Sequence, residues 1–151
     1  MMIKNKKWIL KERPVGLVKD SDFELVSEEL PKISEGEILI ENIYLSFDPT
    51  QRSWLNDVPG YLPPVQIDEV VRSGGIGRVI DSKNPDYKTG DLTFGLVGWQ
   101  THCLTKPSVE DRFRVVPDLL PMPTMLNVMG STGITAYYGL VELGKPKSEE
   151  T

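Results

Sequence analysis

Turn-forming residues punctuate this chain: it carries 13 Gly and 12 Pro in 151 residues, most of them before Pro123. Both residue types interrupt helices and strands, so the segments between them have to be short. Those segments are β-like. Lys6–Lys11 (KKWILK), Phe23–Ser27 (FELVS), Glu37–Leu45 (EILIENIYL), Gly75–Asp81 (GIGRVID), Leu92–Gln100 (LTFGLVGWQ), Thr101–Leu104 and Phe113–Val116 form the series. Several of them alternate apolar and polar residues, the period of a half-buried strand. SEGE at 34–37 and KTGD at 88–91 read as tight turns, with Gly where positive φ costs little. Many short strands with frequent turns predict a β-sandwich or barrel rather than a layered α/β fold.

The pattern changes after Pro123. Thr124–Gly130 predicts a short helical turn with Thr124 as N-cap. Ser131–Leu143 places Ile134, Tyr137, Tyr138 and Val141 three and four residues apart, the spacing of one helix face. Gly144 and Pro146 then supply a stop.

One stretch resembles a phosphate loop. Val70–Ile80 reads VVRSGGIGRVI, with Gly74, Gly75 and Gly77 close together. A dinucleotide fingerprint needs G-x-G-x-x-G between a strand and a helix, and the pyrophosphate rests on that helix's N-terminus. Here the third glycine is missing and GRVIDS continues as strand, so no helix terminus is available. No Gly-Lys-Ser/Thr follows either. The glycines are therefore expected at a bulge or bend, where a missing Cβ lets another backbone approach.

Bulk properties exclude several classes. A net charge of −5 argues against nonspecific nucleic-acid binding, which needs a cationic surplus. The single cysteine, Cys103, forbids an intrachain disulfide, and with the single histidine, His102, it leaves too few donors for a Cys/His metal site. The N-terminus lacks the apolar core of a secretory signal, and no apolar run approaches the ~18 residues of a membrane span. A cytoplasmic protein that binds neither membrane nor nucleic acid is the resulting expectation.

Four segments taken together carry a family resemblance. They are GEILIENIYLSFDPTQRSWLNDVPGYLPPVQI (36–67), GIGRVIDSKNPDYKTGD (75–91), GWQ (98–100) and MGSTGITAYYGL (129–140). In that order they are similar to the N-terminal part of the medium-chain dehydrogenase/reductase superfamily. The nearest group is the zinc-independent, NADPH-dependent 2-alkenal, prostaglandin and curcumin reductases. The resemblance implies a mainly β fold: a GroES-like, strongly twisted, partly open antiparallel barrel with a few short helices and a C-terminal connecting helix. It implies a barrel domain over 1–123. Residues 124–151 would then form a helical connection toward a Rossmann NADP-binding domain absent from this chain. A homodimeric parent enzyme is implied as well.

The resemblance also implies a chemistry. Zinc-dependent relatives place Gly-His-Glu before the G-x-V strand, where Arg72-Ser73-Gly74 stand here. Their upstream cysteine ligand would fall around Leu45–Asp48, where there is none. Without such donors no Zn²⁺ polarises the substrate, and reduction of an activated C=C with NADPH is implied in place of alcohol dehydrogenation. The implied substrate is a small enone or alkenal. The resemblance puts the catalytic tyrosine in the missing domain, so no catalytic residue is assigned here. Asp48, Arg52, Tyr61, Trp99 and Gln100 are the implied substrate-side residues, and Pro49 and Thr135 the implied cofactor contacts. From the residues alone, each has a structural alternative: a fixed loop turn for 48–52, packing for Tyr61 and Trp99, helix stabilisation for Thr135. Quinone reduction within the same superfamily, and a free-standing GroES-like binding or assembly module, are the alternative functions.

Overall fold

The computed structural model describes residues 3–119 and 121–150. The chain divides into two compact units, Met1–Val116 and Pro117–Thr151. The first is built mainly of strands, all paired antiparallel. Strands β1 (Lys4–Leu10) and β2 (Phe23–Glu29) form a two-stranded ribbon, with a short 3₁₀ turn at Asp20–Asp22 before β2. The second sheet runs in the order β6 (His102–Thr105), β3 (Ile38–Leu45), β4 (Gly74–Ser82), β5 (Leu92–Leu96) and β7 (Arg114–Val115). The fold is mainly β, as the turn spacing predicts, and neither sheet closes on itself, in keeping with the partly open barrel that the resemblance implies. Bridges from Lys7 to Gln100 and from Ile9 to Val70 link the ribbon to loops of the larger sheet.

Two apolar clusters hold this unit together. Ile38, Ile40, Val79, Val97 and Cys103 form one, and Leu10, Leu55, Val65 and Val71 the other. Asn5, fully buried, joins the ribbon to the second sheet. Its Nδ2 donates to Gln100 Oε1 at 2.9 Å, and its Oδ1 accepts from the His102 amide at 3.0 Å.

The glycines of β4 make close approaches. The β3–β4 register slips between Leu39 and Ile40 and again between Asn42 and Tyr44, leaving Gly77 opposite Asn42 and Gly75 opposite Leu45. A Cβ at Gly75 would meet Tyr44 O at 2.8 Å, and one at Gly77 would meet Glu41 O at 2.5 Å. Only a residue without a side chain admits those carbonyls, so the bulge-and-bend expectation holds.

Most expected strand runs shift by one or a few residues at their ends, and two departures are larger. The expected run Leu92–Gln100 ends at Leu96, because Gly98 takes φ +71° and breaks the ladder. The stretch read as a turn around Asp48–Arg52 contains a short helix, α1 (Thr50–Trp54), entered through Pro49 in helical conformation.

In the second unit, α2 spans Met122–Leu126. Thr124 is therefore inside the helix rather than its N-cap. Pro121 precedes the helix and Pro123 sits in its first turn, where a missing N–H is harmless. Helix α3 (Ser131–Tyr137) starts after Gly130 and continues as a π-helical stretch, Tyr138–Gly144. It closes on Lys145 at φ +49°, one residue past the expected Gly144. Among the described residues no helix is long and apolar enough to cross a membrane.

A candidate substrate cleft beside the first helix

The β3–α1 junction builds the most promising cavity. After Leu45 the chain leaves β3 through Ser46-Phe47-Asp48-Pro49 and turns into α1. A hydrogen-bonded cluster fixes that turn. Ser46 Oγ donates to Asp48 Oδ2 at 2.7 Å, and the Gln51 amide group donates to Ser46 O at 2.7 Å and to Ser73 Oγ at 3.2 Å. Ser73 Oγ in turn donates to Ser46 O at 2.8 Å. Gln51 and Ser73 are both buried, and the bond between them is shielded from water.

The segments 45–48 and 72–74 therefore meet in space through Ser46 and Ser73, the places the resemblance matches to zinc-ligand segments. The donors there are hydroxyl, amide and carbonyl groups. Among the described residues no group of three or more His, Cys, Asp and Glu could hold a metal.

Over this cluster lies a cavity of about 440 Å³, whose walls include Leu17, Val18, Phe23, Phe47, Leu55 and Trp99. Asp48, Pro49 and Arg52 also line it. Arg52 does not pair with Asp48. Its guanidinium donates to the carbonyls of Pro14 at 3.2 Å and Gly16 at 2.9 Å, and to Asn56 Oδ1 at 2.6 Å. Its charge holds the loop that carries Leu17 and Val18 against α1. Trp99 makes tilted ring contacts with both Phe23 and Phe47, with centroids 5.7 and 5.2 Å away.

The other sequence-predicted residues lie elsewhere. Tyr61 sits at a smaller cavity on the far part of α1, beside Trp54, and its hydroxyl is 2.6 Å from Thr50 Oγ1. It reaches the Asp48–Pro49 turn only through Thr50. Gln100 lines a different cavity from Arg52, and its amide is spent on structure: Nε2 donates to Val97 O at 2.7 Å while Oε1 accepts from Asn5. Thr135 belongs to the second unit, where its hydroxyl donates to Ser131 O one helical turn back at 2.7 Å.

Sequence reasoning missed Phe47, Gln51, Ser73 and the Leu17–Val18 pair. Phe47 carried a visible signal, an aromatic residue standing immediately before Asp48-Pro49. The buried pairing of Gln51 with Ser73 carried none.

The profile of a family described as the N-terminal domain of oxidoreductase matches residues 6–112, most of the chain. The chain belongs to this family, within the medium-chain dehydrogenase/reductase superfamily. It is 36% identical over 148 residues to the NADPH-dependent curcumin reductase of Escherichia coli, covering 98% of this chain and 42% of that protein. It is 31% identical over 153 residues to a 2-alkenal reductase (NADP⁺-dependent) of Nicotiana tabacum, covering 99% and 44%. The crystal structure of CurA from Vibrio vulnificus in complex with NADPH superposes with a TM-score of 0.82 at 32% identity, covering 94% of this chain and 42% of that one. The chain thus spans less than half the length of these relatives.

The cleft of this oxidoreductase domain suits part of such a cofactor and not the whole. Its apolar walls accept a flat, uncharged ring. A pyrophosphate needs a fork of cations or converging amides. The one arginine lining this cavity, Arg52, has its guanidinium committed to three oxygens, and the glycine stretch is strand β4.

Proposed function

We propose that this chain forms the substrate-side wall of an NADPH-dependent reductase that saturates the C=C bond of an enone or alkenal without zinc. One observation carries the reading. The cavity beside α1 is walled by apolar side chains, while its polar residues Asp48, Gln51 and Arg52 are engaged in holding the loop in shape. Such a wall excludes water and favours an uncharged, flat substrate. When bound, NADPH would supply the hydride. We assign Pro49, which lines the cavity, to its nicotinamide end, and Thr135, on α3 of the second unit, as a separate cofactor contact. Asp48, Arg52 and Trp99 frame the substrate, with Tyr61 behind Thr50, and Gln100 contributes by fixing the GWQ segment.

The test is NADPH consumption by the full-length protein with a 2-alkenal, an enone, a benzoquinone and a saturated aldehyde. Saturation of the alkenal C=C, seen in the product, is expected. Turnover of the quinone alone would replace the reading by quinone reduction, and neither turnover nor NADPH binding would leave a non-catalytic module. The 151-residue chain by itself is expected to bind NADPH more weakly than micromolar, since the pyrophosphate has no seat in the cleft.

A further inference from the structure

The apolar surface does not end at Trp99. The β1–β2 ribbon pairs Trp8 with Leu25 and Leu10 with Phe23, two residues apart along each strand and hence on one face. Phe23 lines the cavity beside α1. Trp8 and Leu25 line a second cavity, of about 470 Å³, together with Leu45. Phe47 and Trp99 belong to both. One strand face thus runs under two cavities, and a tilted aromatic pair divides them.

The divider is not a fixed wall. Phe47 is 80% exposed, so its ring can change rotamer quickly and at little cost. Trp8 and Leu25 are also largely exposed, at 42% and 52%, although a ribbon of this kind gains most by covering such side chains. What continuity with the first cavity offers them is the distal end of a molecule held there.

We propose that Trp8, Leu25 and Leu45 form a second apolar subsite, reached across Phe47, which takes the uncharged aliphatic or aryl tail of the molecule whose reactive end lies beside α1. The inference rests on the proposed function for the identity of that reactive end. It makes Leu25 and Phe47 specificity-determining residues.

The experiment compares kcat/KM of the full-length protein for acrolein and for a series of straight-chain 2-alkenals of increasing length. Transfer of each methylene from water is worth about threefold to fourfold in affinity when burial is complete. The wild-type long-to-short ratio is therefore expected to rise by about threefold per added methylene until the subsite is filled. Leu25→Glu should collapse that ratio, and Leu25→Met, which keeps the apolar volume, should retain it. Equal ratios in wild type and Leu25→Glu overturn the subsite. If no enone is reduced at all, the proposed function fails, and binding of a long saturated methyl ketone, followed by the amide NMR shifts of residues 8, 25 and 45, decides the subsite alone. Saturable shifts that Leu25→Glu abolishes support it, and their absence in the wild type refutes it.

Discussion

Replacing Gly77 by Ala tests why β4 is rich in glycine. The added methyl would stand 2.5 Å from the Glu41 carbonyl oxygen across the strand pair. A backbone oxygen opposite a bulge cannot swing aside as a flexible side chain can, so β3 must shift. Overpacking of this kind costs about 1–3 kcal/mol. Gly77 does not occupy the left-handed region, so Ala also gains about 0.4–1 kcal/mol by restricting the unfolded chain. The net expectation is a loss of about 1–2 kcal/mol. Gly74, three residues earlier on the same strand, provides the control, because its Cβ would meet nothing closer than Phe94 at 3.8 Å. Gly74→Ala should be neutral or slightly stabilising. Urea unfolding followed by tryptophan fluorescence reads both, and with m near 1–3 kcal/mol/M the midpoints should separate by about 1 M. Equal midpoints would refute the close-approach account. Loss of NADPH binding in Gly77→Ala of the full-length protein, with the midpoint unchanged, would restore a phosphate role to the glycines.

Three further outcomes are expected. Arg52→Met should free the loop at Pro14–Val18 and cost about 1–2 kcal/mol through lost charge-assisted bonds, seen as faster amide exchange there; Arg52→Lys should not restore protection, because an ammonium cannot fork between the Pro14 and Gly16 carbonyls. Ser73→Ala should cost about 1 kcal/mol by denaturant unfolding, the low end for a buried bond, since Gln51 still donates to Ser46 O. Burial, with a smaller contribution from Asp111, pushes the Cys103 thiol up to about 12. The unfolded chain ionises this thiol first, so stability is full below about pH 8.5 and falls as pH rises toward 12. Cys103→Ala should flatten that alkaline slope, and the native thiol should resist alkylation at neutral pH.

Much of the fold was legible because its signals are local. The strand runs from Lys6, Phe23, Glu37 and Gly75 all correspond to strands, since alternation and flanking turn residues act within a few positions. Helix α1 was not legible, because five residues give too short a run for a helical period to declare itself. The cavity was half legible. Asp48, Pro49, Arg52 and Trp99 do converge, whereas Gln100 is diverted by Asn5, a partner far away in sequence that no local pattern reveals. Arg52 points to backbone carbonyls rather than to Asp48, a choice set by how the 14–16 loop passes over α1.

The buried amide of Asn5 also sets a timetable for biosynthesis. Its partners Gln100, Thr101 and His102 lie 95 to 97 residues downstream. At ribosomal rates of about 5–20 residues per second, β1 waits roughly 5–20 s after its own synthesis for Gln100 to be made. Leu10 gains its cluster partners Leu55, Val65 and Val71 only 45 to 61 residues after it, and until then it can be covered by little more than the β2 strand of its hairpin, which alone is marginally stable. Strand β1 is thus locked long after it is translated, and a nascent chain halted before residue 100 presents it to chaperones and proteases without its buried Asn5 bonds.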